Sequence, residues 1–191
     1  MTMLDQLIDK CRSYRSFTPG VSVPDDLLRQ WLRNAGRTAS TRNLQVVRFK
    51  ICTGEALQKL LPLTRWAGGL AGRKFPPAGH EPSVLLILCL DTDLGQGPAY
   101  FKDIGIAAQT ILLSATEAGF GGCMIGAFDP ETVRKEMSLS ERYLPALVIA
   151  LGKPDETVRI DDLPASGSTA YWRDEDDVHH VPKRSLEDLI L

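Results

Sequence analysis

The stretch that decides the fold is Phe101 to Gly126. It opens with an apolar stripe, Ile104, Ala107, Ala108, Ile111, Leu112, Ala115 and Ala118, at helical spacing. It continues as Gly119-Phe120-Gly121-Gly122-Cys123-Met124-Ile125-Gly126. The spacing predicts a helix over 101–118, the longest in the chain, and a strand over 123–128. A dinucleotide-binding loop has the opposite order, strand then glycines then helix, with GxGxxG spacing. Neither the order nor the spacing is present here. A Walker-type phosphate loop also fails, because no Lys-Ser or Lys-Thr follows a matched pair of glycines. Two readings of the cluster remain. It is a tight helix-to-strand turn, or Gly126, lacking a side chain, lets a flat ring approach the backbone.

Upstream, Met3, Leu4, Leu7, Ile8 and Cys11 share one face of a first helix, followed by a turn at Thr18-Pro19-Gly20. Pro24 is placed to open a second helix at its first position, with Leu27, Leu28, Trp31, Leu32 and Ala35 as its stripe and Gly36 as its end. Residues 36–45 are polar and lack either period, so they form a loop. Val47, Phe49 and Ile51 alternate with Arg48 and Lys50 in a half-buried strand. A short helix is expected over 54–61. Residues 64–82, rich in glycine and proline and carrying Trp66, read as a surface excursion or a lid. Val84 to Leu90 is the longest strictly apolar run and reads as a fully buried strand.

Downstream, Asp129-Pro130 caps and starts a helix to about Met137. A buried strand is expected over 146–151. The tail has strand-like segments at 157–160, 169–172 and 178–181, an acidic hairpin turn at 173–177 and a short helix from Ser185. Helix and strand mix without strict alternation, which predicts an α+β class.

Length and composition set further bounds. A chain of 191 residues, 43% hydrophobic and 24% charged, suits one compact domain spanning 1–191, or two small lobes sharing a core. A net charge of -2 argues against a general nucleic-acid coat. A membrane helix needs roughly 20 apolar residues, far more than the longest run here, so no membrane span is expected. The start of the chain shows no secretory signal pattern. The cysteines, Cys11, Cys52, Cys89 and Cys123, lie far apart without a CxxC pair, and they read as reduced thiols of a cytoplasmic protein. His179 and His180 would point to opposite faces of a strand, so they would not share a metal. No metal site is expected.

Four segments have residue types suited to chemistry. Arg12-Ser13-Tyr14-Arg15 places two guanidinium groups around hydroxyls, which suits an anion, although exposed arginines in a turn read the same way. Ser40-Thr41-Arg42-Asn43-Leu44-Gln45 either reads the polar edge of a heterocycle or satisfies its own backbone. The glycine cluster is the third. Pro182-Lys183-Arg184 is the fourth, a basic close next to an acidic run that could supply its salt bridges. No Ser-His-Asp or paired-carboxylate arrangement stands out, so no catalytic side chain is assigned.

Taken in order, these segments resemble the FMN-dependent nitroreductase family. Cys11-Arg12-Ser13-Tyr14-Arg15-Ser16-Phe17 is similar to its Arg-Arg-Ser-x-Arg-x-Phe opening. Ala39 to Val47 resembles its Pro-Ser-x-x-Asn-x-Gln-Pro-Trp loop. Asp103-Ile104-Gly105-Ile106-Ala107-Ala108-Gln109 matches its Asp-x-Gly-x-Ala-x-Gln helix. The glycine cluster, the strand ending Ala150-Leu151-Gly152-Lys153-Pro154 and the basic Lys183-Arg184 extend the likeness over nearly the whole chain. Cys11 stands where the family has its first arginine, and Val46-Val47 where it has Pro-Trp.

The resemblance implies a central, mostly antiparallel sheet flanked by helices, in an intertwined homodimer with FMN at the subunit boundaries. Arg12 and Ser13 would hold the phosphate with Lys183 or Arg184. Arg15 would lie near the N1–O2 edge of the ring. Ser40 and Asn43 would come from the other subunit. Met124, Ile125 and Gly126 would pass along the ring, with the Gly126 amide near N5. The implied activity passes electrons from NAD(P)H through flavin N5 to a nitroaromatic, quinone or other small acceptor. The same fold also suits other flavin chemistry, such as reductive dehalogenation, or a non-catalytic redox sensor or store.

Overall fold

A strand without polar residues has to be covered on both faces. In the computed structural model, which describes residues 1–70 and 72–191, the apolar run forms β2 (Val84–Asp91), buried along its whole length. Its side chains alternate between two cores. Val84, Leu86, Leu88 and Leu90 face a core shared with α2 (Asp25–Ala35) and α4 (Phe101–Glu117). Leu85, Ile87 and Cys89 face a second core shared with α3 (Gly54–Leu60) and α5 (Pro130–Glu136).

Among the described residues, β2 is an inner strand of a four-stranded antiparallel sheet ordered β1-β2-β4-β3. The others are β1 (Val47–Cys52), β3 (Gly121–Ile125) and β4 (Tyr143–Gly152). The class is α+β, with helices on both faces of an antiparallel sheet. α1 (Met3–Lys10) is closed at its start by a capping box in which Thr2 and Asp5 bond each other's backbone.

The tail, from β5 (Val158–Asp162) through β6 (Trp172–Arg173) to β7 (His179–Lys183), makes a second, three-stranded sheet ordered β5-β7-β6. The acidic run between β6 and β7 is a hairpin turn, with the Asp174 N–H donating to the Val178 carbonyl at 3.2 Å.

Some boundaries differ from the sequence reading. Pro24 is the cap of α2 and not its first helical residue, because Asp25 is the first to take helical geometry. The strand expected at 123–128 begins earlier, at Gly121, and ends at Ile125. Its glycines are a close-packing requirement of a strand edge. A Cβ on Gly122 would lie 1.8 Å from the Ala150 carbonyl oxygen. The strand expected at 169–172 shrinks to Trp172–Arg173. The helix expected from Ser185 is only a turn, with Leu186, Leu189 and Ile190 exposed. Residue 71 of the expected excursion lies outside the described residues.

Candidate functional site

The N-terminal segment after α1 docks on the free edge of β3. Ser13 bridges Gly122 in parallel, and the Tyr14 N–H donates to the Gly122 carbonyl at 3.0 Å. This pairing sets Arg12–Arg15 beside Gly121–Ile125, which are far apart in sequence. A Cβ on Gly121 would lie 2.7 Å from the Tyr14 ring, so the approach needs a glycine there.

Glu156 fixes the segment from the other side. Its carboxylate accepts from the Arg15 and Ser16 backbone N–H groups and pairs with the buried Arg173 of β6. The tail sheet therefore closes over the arginines. The excursion is tied to it as well. Tyr171 Oη accepts from the Gly69 N–H at 3.1 Å, Arg73 pairs with Asp177, and the Arg173 guanidinium lies 5.1 Å from the Phe75 ring centre.

Two adjoining cavities result. The first, about 290 Å³, is lined by Arg12, Ser13, Arg15, Tyr171, His179 and Lys183, among others. The second, about 180 Å³, is lined by Arg15, Arg65, Trp66, Tyr171 and the run Cys123 to Ala127. They meet at Arg15 and Tyr171, whose cation-to-ring distance is 5.6 Å. The first cavity is cationic. The second has a backbone wall from which Met124 projects while Ile125 turns into the core. A Cβ on Gly126 would meet no atom within 4 Å, so the strand ends on open space.

The first cavity contains unpaired polar atoms. Arg12 Nε is buried without a hydrogen-bond partner among the described residues. Its Nη2 donates to the Ile8 carbonyl, which anchors the side chain to α1. Burial, with Arg15 and Arg173 close by, holds the His179 imidazole down at about 4, so it is neutral at neutral pH. Burial also pushes the Cys123 thiol up to about 12, so that cysteine behaves as a packed hydrophobe.

The structure thus brings Arg12, Ser13, Arg15, Lys183, Met124, Ile125 and Gly126 together. Arg184 is exposed and lines neither cavity. Ser40 and Asn43 are elsewhere in the same chain. Ser40 helps line a separate cavity of about 190 Å³, where its Oγ accepts from the Gln45 N–H at 3.0 Å. The loop is tightly wound, with φ of 54° at Arg42, 54° at Asn43 and 50° at Gln45. Asp103, at the start of α4, braces it by accepting from Thr41 N at 3.0 Å and Thr41 Oγ1 at 2.8 Å. Left-handed geometry at non-glycine residues costs energy and needs such support.

Sequence reasoning missed Tyr171, His179 and Glu156. The available signal was alternation in the tail. On strands, Tyr171 and Arg173 share a face, as do His179 and Val181. Without a partner surface, nothing in the tail shows which face turns inward.

Among relatives, a Bacillus subtilis (strain 168) protein provisionally named NAD(P)H nitroreductase YodC is 36% identical over 53 residues, 28% of this chain and 26% of its own. A Methanothermobacter thermautotrophicus protein, provisionally named NADH dehydrogenase/NAD(P)H nitroreductase, is 35% identical over 88 residues, 44% of this chain and 46% of its own. These matches span less than half the length of either relative. Among solved structures, a provisionally named nitroreductase from Desulfovibrio desulfuricans, in complex with FMN, superposes with a TM-score of 0.75 at 21% identity, covering 100% of this chain and 96% of that one. A nitroreductase family protein from Streptococcus pneumoniae TIGR4 gives 0.71 at 19% identity, covering 85% and 96%. These likenesses establish a shared fold. The model of the nitroreductase family matches residues 8–153, and with the antiparallel sheet and helical layers described above this places the chain in that family.

Proposed function

We propose that the chain is an FMN-dependent oxidoreductase, acting as one flavin-binding domain over residues 1–191 and as a homodimer. The observation that carries this reading is the pair of adjoining cavities, cationic at one end and walled by the open end of β3 at the other. The residues present suit FMN. The phosphate of FMN carries close to two negative charges, and the first cavity gathers Arg12, Arg15 and Lys183, with Arg12 Nε buried and unpaired among the described residues. The open space at Gly126 leaves room for a flat ring against the backbone.

When bound, FMN would supply two-electron chemistry at N5, between NAD(P)H and a small acceptor such as a nitroaromatic or quinone. The protein's own residues bind, orient and exclude water. Arg12, Ser13 and Lys183 would hold the phosphate, while Arg184, exposed and next to Lys183 in the chain, would add positive charge outside the cavity. Arg15, where the cavities meet, would put a fixed positive charge beside the ring and so favour its reduced form. Met124, Ile125 and Gly126, which line the second cavity, would align the ring along the open end of β3. Arg65 and Trp66 line the second cavity on the side of the excursion.

Ser40 and Asn43 serve the flavin of the opposite subunit. Their separation from Arg12 within one chain supports this assignment, as does the bare apolar surface. α1 buries none of its residues, leaving Met3, Leu4 and Ile8 exposed, and α4 exposes Phe101 and Ile106. The FMN bound to the Desulfovibrio neighbour supports the choice of cofactor. The names of the relatives support the choice of electron donor.

The test is steady-state oxidation of NADH and NADPH by FMN-loaded protein, with a nitroaromatic and a quinone as acceptors. Turnover with either acceptor is expected. Tightly bound flavin with negligible turnover would make the protein a redox store or sensor.

A further inference from the structure

The two neighbouring histidines of β7 have different surroundings. His180 is engaged at both ring nitrogens, by Asp161 at 2.6 Å and Asp174 at 3.0 Å, and stacks on Trp172. His179 is 1% exposed, and neither of its ring nitrogens has a partner among the described residues. Buried polar groups are nearly always hydrogen-bonded, and leaving one unpaired is costly.

His179 lines the same cavity as Arg12, Ser13, Arg15 and Lys183. A neutral imidazole has one N–H donor and one acceptor nitrogen. The donor needs an acceptor. Arginine and lysine side chains offer none, Val158 and Val181 in the same lining are apolar, and the Ser13, Tyr171 and Cys11 side chains, which could accept, make no hydrogen bond to either ring nitrogen. Tyr171 packs against His179 edge-on, ring centres 5.3 Å apart. What would complete the site is an oxygen-rich anion placed among the three cations.

We propose that His179 is a further ligand of the FMN phosphate, donating its ring N–H to a phosphoryl oxygen beside Arg12 and Lys183. This rests on the FMN reading above. A neutral donor contributes direction without adding a fourth positive charge to a crowded site. It also gives the tail sheet a direct part in cofactor binding, since β7 carries both His179 and Lys183.

The experiment compares FMN with riboflavin, which lacks the phosphate. Wild type, His179→Phe and His179→Gln are titrated with each, following flavin fluorescence, after thermal melting has confirmed that each variant folds. His179→Phe is expected to weaken FMN about tenfold or more, as loss of one hydrogen bond to a charged acceptor does. Riboflavin affinity should stay within about twofold. His179→Gln, which keeps an N–H, should recover most of the loss. A readout that needs no variant is the nitrogen resonance of ring-labelled histidine in wild type. FMN should shift the His179 ring N–H and riboflavin should not. Three results would each overturn the proposal while leaving FMN binding intact: equal loss of both ligands, FMN affinity unchanged in His179→Phe, or an unmoved His179 resonance at FMN saturation. A wild-type protein that binds no FMN would overturn the FMN reading as well.

Discussion

Arg12 and Arg15 lie on one short segment and are assigned different work. Arg12 reaches back to α1 and keeps a buried donor free, whereas Arg15 sits where the two cavities meet. Arg12→Ala should therefore weaken FMN by one to two decades, the cost of roughly 1.5–3 kcal/mol for a charge-assisted hydrogen bond. Arg15→Ala should lower the flavin reduction potential more than it lowers affinity. Potentiometry and fluorescence titration on both variants check this, and equal shifts in potential would contradict the division. Gly122 has a structural role. Ala150's carbonyl leaves no room for a methyl group, so Gly122→Ala should separate β3 from β4 and cost on the order of 3 kcal/mol, read by denaturant unfolding. Arg12 and Arg15 were legible in the sequence as two guanidinium groups in one turn, a pattern that suits an anion and equally an exposed turn, and Lys183 was drawn to them only by the family resemblance. His179 and Glu156 were not, because their meaning comes from burial beside residues far away in the chain.

At the scale of elements, periodicity revealed most of the helices and strands but not their ends, and the helix expected from Ser185 is only a turn. Nothing in the pattern of residues 119–122 shows that the glycines belong to a strand, since that follows from the close approach of β4 and Tyr14. The tail sheet is the element with a distinct pH response. Bonds to Asp174 and Asp161 raise His180 above its ordinary 6.5. Its stabilising contribution is therefore full below about pH 6.5 and is lost as pH rises through the raised folded value. His179 acts in the opposite sense. Held at about 4, it disfavours the fold as pH falls below 6.5. Comparing wild type with His180→Phe at each pH largely cancels the His179 contribution and keeps an aromatic ring against Trp172. The gap in melting temperature should be widest near about pH 5.5 and narrow towards about pH 9. A gap that does not change with pH would show that the two carboxylates do not stabilise a protonated His180.

At the scale of the whole molecule, the α+β class followed from the order of elements, with the buried β2 as its centre. The assembly was not legible in the same way, because an apolar face on α1 reads equally as a core contact or a subunit contact. In the structure Met3, Leu4 and Ile8 on that face are exposed, while Leu7 is half-buried. If Arg12 and Asn43 serve one flavin from different chains, Arg12→Ala and Asn43→Ala homodimers should each have two weakened sites. A mixed dimer should regain one site of wild-type affinity, because both lesions fall on the other. Differently tagged co-expressed variants, isolated as the heterodimer and titrated with FMN, check this. Two equally weak sites would place both residues in one chain's site. Whether the paired cavities form a flavin site is checked by stripping the purified protein and titrating it with FMN. Saturable binding at or below about micromolar concentration, one FMN per chain, is expected, with a yellow protein whose flavin absorbance bleaches when NADH or NADPH is added without oxygen. A folded protein that stays colourless and binds no FMN at micromolar concentration would rule that site out.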